Sequence, residues 1–318
     1  MKVAILDDIH HAYEGTSGVH RLRERAEVRI FTAPFGDPRV LTGFDALIAN
    51  RERTTFTGEL FGELPDLRII AQTGNHAYHI DLAAAEARGV VVAKATGGFS
   101  YGAAELTIGL MIALMRQLPA TDRALKAGTW PAPLTRVLHN KTLGIVGLGH
   151  VGRHVATIAN AFEMRVLAWG PRLTGEAATA AGVERRELDD LLRESDIVSI
   201  HATLAPESRG LLDARRIALM KPTACLINTA RGPIVDEAAL VAALSGKRIA
   251  GAGLDVFDQE PLPSGHPLTM LDNVVLTPHI GWPTDEAYDR FADAAADVLI
   301  AYLEGRDVPR FKHRRLSL

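Results

Sequence analysis

The sequence has 318 residues, 47% of them hydrophobic and 23% charged, and its formal net charge is −3. This composition is that of a soluble globular protein and excludes the disordered and fibrous classes, while a small net charge without a long run of one sign does not favour binding to nucleic acid or to a membrane. At about 150 residues per domain, the length predicts two domains.

Strand-like and helix-like segments alternate from the first residues onward. The chain begins with a strand-like run at 2–6, without the apolar region and cleavage site of a secretory signal, so a cytoplasmic location is expected. Further short apolar runs predict the other strands of a first sheet at 27–31, 46–48, 68–71 and 90–92. This alternation is typical of the α/β class, in which parallel strands are joined by right-handed helical crossovers.

An apolar segment and a segment rich in proline precede the centre of the chain. The apolar residues 107–115 are fewer than the roughly 20 that a membrane-spanning helix needs, and we interpret them as a buried helix. Pro119 and residues 128–133 interrupt the periodicity before the next strand.

A second, longer series of elements follows. It starts with a strand at 143–147, a helix at 153–164 and a strand at 166–169. A helix at 237–244 and a last helix at 285–303 are also predicted. Additional strand-like runs lie at 196–201, 224–229, 249–256 and 273–277. The chain is therefore expected to form two doubly wound parallel sheets.

The glycine-rich segment 147–152 is the clearest motif. Its pattern G-x-G-x-x-G follows a predicted strand and opens a predicted helix, the arrangement that binds the pyrophosphate of a dinucleotide. The glycines permit a tight turn and close approach of the backbone to the phosphates, whose charge the helix N-terminus favours. The alternative is a structural turn that binds nothing. The predicted contacts are Gly147, Gly149, His150, Val151 and Gly152.

The residues after the next strand bear on the choice between NAD and NADP. An acidic residue about 20 positions beyond the glycines ordinarily holds the ribose hydroxyls of NAD. Here the sequence reads Trp169-Gly170-Pro171-Arg172, without a carboxylate. Arg172 can pair with the 2′-phosphate of NADP, which is therefore favoured; in the alternative, Arg172 is solvated and NAD is held through backbone contacts. Gly170, Pro171 and Arg172 are candidate cofactor residues.

Three polar residues follow predicted strands in the second half of the chain. They are Arg231 in Asn-Thr-Ala-Arg-Gly, Glu260 before a proline, and His279 in Pro-His-Ile-Gly. Because open α/β sheets bind ligands at the carboxyl ends of their strands, these side chains could converge on one crevice. Each also has a structural alternative: a surface arginine, a loop-capping glutamate and a histidine bonded to backbone. Arginine can grip a carboxylate, and histidine beside a carboxylate can exchange a proton near neutral pH.

With these motifs in this order, the chain resembles the D-isomer-specific 2-hydroxyacid dehydrogenases over nearly its whole length. The resemblance implies hydride transfer between NAD(P)H and a small 2-oxo acid to give a D-2-hydroxy acid. It also implies that Arg231 binds and polarises the substrate, that His279 acts as acid and base, and that Glu260 supports it.

The resemblance further implies a domain plan and a homodimer. An NAD(P)-binding domain at 102–283 is expected to be inserted into a substrate-binding domain formed by 1–101 and 284–318. The enzyme would act on a small-molecule acid, with neither nucleic acid nor membrane as a partner.

Additional site residues come from the same resemblance. Gly74, Asn75 and His76 match the loop whose backbone amides hold the substrate carboxylate, although the family often has a second glycine where His76 stands. Asp255 resembles a residue near the nicotinamide amide, and its alternative is a turn cap. The alternative for His201 is a purely structural histidine whose ring is hydrogen-bonded within the protein. The further cofactor contacts implied are His201, Ala202, Thr229, Ala230, Asp255 and Gly281.

No metal site is predicted, because the histidines lack metal-ligand spacing and the single cysteine, Cys225, lies in an apolar run typical of a buried thiol. Two other functions stay open. One is a dinucleotide-sensing binding protein of the corepressor type, which would bind the cofactor without significant turnover. The other is a formate or phosphite enzyme, although formate enzymes of this superfamily have a glutamine where Glu260 stands.

Overall fold

The computed structural model describes residues 1–74, 76–97 and 100–312. The chain forms two units, one comprising Met1–Phe99 and Pro283–Leu318 and the other Ser100–Trp282. Each unit contains one sheet in which every neighbouring pair of strands is parallel. This confirms the predicted α/β class with one domain inserted into the other.

The sheet of the first unit has the strand order β2-β1-β3-β4-β5. Its strands are β1 Lys2–Ile5, β2 Glu27–Ile30, β3 Ala46–Ala49, β4 Ile69–Thr73 and β5 Val91–Ala95. Strands β4 and β5 continue beyond the predicted runs because Gln72 pairs with Lys94, and Thr73 with Ala95. Gln72 and Thr73 are polar but buried, so the apolar pattern ended before the strand did.

Three helices connect these strands: α1 Ser17–Arg23, α2 Gly58–Gly62 and α3 Leu82–Ala87. Each begins at a side chain that accepts a hydrogen bond from a first-turn amide, a common N-cap that satisfies a donor left without a partner in the helix. The caps are Thr16, Thr57 and Asp81.

The second unit has a seven-stranded sheet in the order β12-β11-β10-β9-β6-β7-β8. Its strands are β6 Thr142–Val146, β7 Arg165–Trp169, β8 Glu184–Arg185, β9 Ile197–Ile200, β10 Cys225–Asn228, β11 Gly251–Leu254 and β12 Val274–Leu276. The strands β9, β10 and β11 are buried along their length and β6 is buried after its first residue, as expected for a parallel sheet with helices on both faces.

The helices of the second unit are α4 Tyr101–Met115, α5 Leu118–Lys126, α6 His150–Ala161, α7 Gly175–Ala180, α8 Leu188–Glu194, α9 Ala214–Ile217 and α10 Glu237–Ser245. A break between α4 and α5 directly precedes Pro119, but this proline lies in the first turn of α5, a helix that the sequence did not predict. There, a missing N–H removes no helical hydrogen bond. Helix α6 also starts earlier than predicted, directly after Gly149.

The last helix, α11 Asp285–Leu303, has the predicted bounds and belongs to the first unit. It packs against α1, β4 and β5. Thr284 caps its N-terminus by accepting a hydrogen bond from the Ala287 amide at 3.2 Å. The C-terminal part of the chain thus completes the core of the first sheet.

Candidate active site

The glycine-rich segment forms a tight turn between β6 and α6. Gly147 has a φ of +103°, which favours glycine, and a Cβ atom on it would lie 2.6 Å from the backbone nitrogen of Ala202. A Cβ on Gly152 would collide with the carbonyl oxygen of Gly147. Gly149 and His150 are exposed, and the first turn of α6 contains no acidic residue. Val151 lies in the same turn, so this helix start can receive an anion.

The turn after β7 leaves one cation exposed. The Leu173 amide donates to the Gly170 carbonyl at 3.1 Å, which closes the turn around Pro171 and Arg172. Both of these residues are exposed. Within residues 1–74, 76–97 and 100–312, no hydrogen bond or salt bridge engages the side chain of Arg172. Its guanidinium is therefore available to an anionic ligand.

His201 follows β9 and makes the contact expected of a structural histidine. Its Nε2 atom lies 2.8 Å from the Ser199 hydroxyl. Burial lowers the pKa of His201 to about 4, so the ring is neutral at physiological pH. The backbone of His201 and Ala202 packs against Gly147. Contact of these two residues with a cofactor stays a prediction.

Arg231 stands in a turn that begins where β10 ends. Asn228 accepts a hydrogen bond from the Ala230 amide at 3.0 Å and donates one to the Arg231 carbonyl at 3.0 Å, so its side chain shapes the turn. The guanidinium Nη1 of Arg231 donates to the Ala230 carbonyl at 2.6 Å, and the residue is only partly buried. The turn therefore presents the guanidinium at the carboxyl edge of the sheet, where it can bind an anion.

A hydroxyl pair ties this turn to α4. The Thr107 hydroxyl lies 2.8 Å from the Thr229 hydroxyl and donates to the Ala103 carbonyl at 2.7 Å. Since a threonine has one hydroxyl hydrogen, Thr229 is the donor within the pair. Sequence reasoning did not find Thr107, because only the fold shows that α4 packs on β10.

His279 and Glu260 form a hydrogen-bonded pair. The Nδ1 atom of His279 lies 2.6 Å from Oε2 of Glu260, whose Oε1 accepts the Phe257 amide at 2.9 Å. Burial alone would raise the pKa of Glu260. The hydrogen bond and charge of His279, the Phe257 amide and the charge of Arg231 outweigh burial, so the pKa of Glu260 lies below its usual value. An ionised Glu260 holds a proton on Nδ1, and proton exchange with a ligand falls to Nε2.

Asp255 fastens the turn that carries His279. The backbone of His279 has a φ of +54°, which is uncommon for a residue other than glycine. Oδ1 of Asp255 accepts hydrogen bonds from the Thr277 hydroxyl at 2.6 Å and the Ile280 amide at 2.8 Å, and Oδ2 accepts the Gly281 amide at 2.9 Å. Burial raises the pKa of Asp255, although these hydrogen bonds oppose the shift. The Asp255 carboxylate therefore holds the residues on both sides of His279 by hydrogen bonds. This is the turn-capping role that the sequence analysis gave as the alternative for Asp255.

In the first unit, the predicted substrate loop follows β4. Gly74 has a φ of +102°, and a Cβ atom on it would lie 2.5 Å from Nη1 of Arg51. The ring of His76 stacks on Tyr78 with centroids 4.6 Å apart. The prediction for Asn75 falls outside the described residues. Sequence reasoning missed Arg51, which follows β3. The signal that could have found it is the parallel pairing of β3 with β4, which brings the ends of the two strands together.

The structure offers no group of three or more His, Cys, Asp and Glu residues suited to a metal ion among the residues it describes. Over the same residues, none of the helices combines the length and apolar character needed to cross a membrane. Cys225 is buried, with Nη2 of Arg136 3.3 Å from its sulfur.

Comparison with known sequences places this geometry in a family. Residues 108–281 match the family described as D-isomer specific 2-hydroxyacid dehydrogenase, NAD binding domain. A glyoxylate reductase from Thermofilum pendens is 41% identical over 265 residues, which cover 81% of this chain and 78% of that protein. A D-3-phosphoglycerate dehydrogenase from Mycobacterium tuberculosis is 39% identical over 297 residues, which cover 92% of this chain but 56% of that protein. The chain thus spans only about half the length of the second relative.

A solved structure extends the similarity to three dimensions. A phosphoglycerate oxidoreductase from Vibrio cholerae has a TM-score of 0.86 and 32% identity, covering 96% of this chain and 99% of that one. These relatives are dehydrogenases and reductases, so the predicted resemblance is confirmed and the protein is a nicotinamide-dependent oxidoreductase. The chain belongs to the D-isomer-specific 2-hydroxyacid dehydrogenase family.

Proposed function

We propose that the protein interconverts a small 2-oxo acid and its D-2-hydroxy acid, with His279, Glu260 and Arg231 as the catalytic residues. The observation that carries this proposal is the 2.6 Å hydrogen bond between His279 and Glu260, close enough to Arg231 for its charge to lower the pKa of Glu260. A proton donor, the carboxylate that supports it and an anion-binding guanidinium thus share one end of the sheet.

The roles follow from the chemistry of these side chains. A bound nicotinamide dinucleotide supplies or accepts the hydride. Arg231 grips the substrate carboxylate through its planar donors and polarises the adjacent carbonyl. As negative charge develops on the carbonyl oxygen, Nε2 of His279 donates a proton to it, while Glu260 orients the ring and stabilises its charged form. In the oxidation direction, Nε2 accepts the proton of the hydroxyl group.

We assign the dinucleotide to the domain at 102–283 and the substrate carboxylate to the domain formed by 1–101 and 284–318. The close backbone approach at Gly147 and the uncovered start of α6 support a pyrophosphate seat there. The loop at Gly74 supports the second assignment, because its left-handed backbone suits an anion. The other cofactor contacts we propose are His201, Ala202, Thr229, Ala230, Asp255 and Gly281.

NADPH is the preferred cofactor in this proposal. The turn after β7 lacks a carboxylate that would repel a 2′-phosphate, and the exposed Arg172 can contribute a charge-assisted hydrogen bond. Such a bond contributes roughly 1.5–3 kcal/mol, or about ten- to a hundredfold in affinity. We expect Arg172→Ala to raise KM for NADPH by about that factor and to leave KM for NADH nearly unchanged. Equal loss with both cofactors, or a parent that strongly prefers NADH, would contradict the proposal.

The direct test is a panel of 2-oxo acids assayed by nicotinamide absorbance, with chiral analysis of the product. The expected outcome is turnover of at least one acid to the D-hydroxy acid. Tight dinucleotide binding without turnover of any acid would contradict the proposal and favour the sensor function instead.

A further inference from the structure

An arginine–glutamate pair lies against the loop that we assign to the substrate carboxylate. The guanidinium of Arg51 covers the face of Gly74, where a Cβ atom would lie 2.5 Å from Nη1 and 3.3 Å from Cζ. Nε of Arg51 is 3.5 Å from Oε2 of Glu52, and both side chains are largely buried. A cation is thus present beside the loop, together with the anion that neutralises it.

The backbone fixes this pair in place. The Arg51 amide donates to the Thr73 hydroxyl at 2.9 Å, and the Gln72 side chain donates to the Arg51 carbonyl at 2.9 Å. Arg51 also has a φ of +60°, a left-handed conformation that these two hydrogen bonds stabilise. The loop after β3 is therefore fastened to the end of β4, and the backbone of Arg51 cannot move away from that end without breaking these bonds.

Glu52 also reaches the third residue of the loop. Its Oε2 atom lies 3.3 Å from Nε2 of His76 as well as 3.5 Å from Arg51. The ring of His76 is held between Tyr78, on which it stacks, and His79, which meets it edge-on at 5.9 Å. One carboxylate thus lies within 3.5 Å of Arg51 and 3.3 Å of His76, next to the loop.

We propose that Glu52 is a specificity-determining residue, which makes the enzyme favour 2-oxo acids with a single negative charge over those with a second anionic group. The proposal rests on the function assigned above to the loop at 74–76. An isolated Arg51 would attract a second carboxylate or a phosphate on the substrate. Glu52 neutralises Arg51 and so cancels that attraction, and specificity often depends on such a group that works against the unwanted ligand. Because both side chains are largely buried, solvent screens their charges only weakly.

The test compares kcat/KM for singly charged acids, glyoxylate and hydroxypyruvate, with kcat/KM for oxaloacetate and 3-phosphohydroxypyruvate, which carry a second carboxylate and a phosphate. The parent enzyme should favour the singly charged acids. Glu52→Gln should raise the relative kcat/KM of the doubly anionic acids by at least about tenfold. Glu52→Asp, which keeps the charge, should retain most of the parent preference. The double variant Arg51→Met, Glu52→Gln should lose the raised kcat/KM for the doubly anionic acids, because it lacks the guanidinium that attracts their second anionic group.

A matched control is Glu63→Gln, which removes an exposed carboxylate from the same unit. A parent that prefers the doubly anionic acids would overturn the proposal whether or not the variants fold. An unchanged preference in Glu52→Gln, with the parent Tm and dinucleotide Kd, would also overturn it. A parent that reduces none of the four acids nor any other in the panel would instead refute the function on which the proposal rests.

Discussion

At the scale of single residues, the candidate site depends on hydrogen bonds that restrict the conformations of its side chains. Asn228 shapes the turn of Arg231 through both of its amide atoms, and Glu260 uses one oxygen for the Phe257 amide and the other for His279. Each group is therefore held by the backbone next to it. A substitution that keeps charge but changes the shape of the donor should consequently be costly.

Arg231→Lys tests this expectation. Lysine keeps the positive charge but loses the planar pair of donors, so kcat/KM for 2-oxo acid reduction should fall by about 100-fold or more, while Kd for the dinucleotide changes little. Steady-state kinetics and a cofactor titration by fluorescence measure the two effects. Near-normal reduction by the Lys variant would remove Arg231 from the catalytic set.

The pH profile tests the pair of His279 and Glu260. Because the pKa of Glu260 is lowered, its carboxylate is ionised above the usual glutamate value of about 4.3 and is lost only as pH falls through the lower folded value. Its hydrogen bond to His279 is therefore present throughout the neutral range. Any acid limb that Glu260 imposes on kcat/KM for reduction should lie below the usual glutamate value and disappear in Glu260→Gln, whose kcat/KM at neutral pH should fall by about tenfold or more. A Gln variant with the parent kcat/KM at neutral pH would show that Glu260 does not support His279.

At the scale of elements, neighbouring strands of the second sheet are joined at their ends by one side chain. Asp255 follows β11, and its three hydrogen bonds all go to the segment after β12. These hydrogen bonds stabilise the segment in which His279 has its left-handed conformation. The chemistry of the turn thus depends on the pairing of two strands rather than on either segment alone.

Replacing Thr277 removes one of these three hydrogen bonds and leaves Asp255 itself unchanged, so the turn should become less rigid. We expect Thr277→Val to lower the free energy of unfolding by about 1 kcal/mol and to reduce kcat severalfold, with dinucleotide Kd unchanged. Thr179→Val is a matched control, since among the residues that the structure describes its exposed hydroxyl bonds to the Gly175 carbonyl alone, within α7. If both variants lost kcat equally, the hydrogen bond to Asp255 would have no special part in positioning His279.

Particular elements show what the sequence could and could not predict. The glycine-rich turn and α11 were predictable because their signals are local: glycine spacing in one case and helical periodicity in the other. Helix α5 was missed because Pro119 is compatible with a first helical turn, although the same residue would break a helix interior. The contact of Glu52 with His76 joins the ends of two different strands, and no spacing along the chain encodes it.

At the scale of the whole molecule, one segment of the second unit exposes several large apolar side chains. Helix α5 buries none of its residues, and the segment after it carries Trp130 at 86% and Leu134 at 97% exposure. The large exposed hydrophobic residues between positions 118 and 137 are Leu118, Leu125, Trp130, Leu134 and Val137. Exposed apolar side chains gathered on one segment are typical of an interaction surface, and we propose that the homodimer expected from the family resemblance covers them.

A homodimer requires about 800 Å² of buried surface on each partner, toward which these five side chains would contribute several hundred Å². We therefore expect the parent protein to be a dimer at micromolar concentration by size-exclusion chromatography with light scattering. The double variant Trp130→Ser, Leu134→Ser should shift to the monomer, because it removes the two most exposed apolar groups of the segment. Met270→Ser is the matched control, since Met270 is 79% exposed on the same unit but lies outside the segment, and it should leave the dimer intact. A monomeric parent, or a double variant that stays fully dimeric, would show that this surface does not join two copies of the chain.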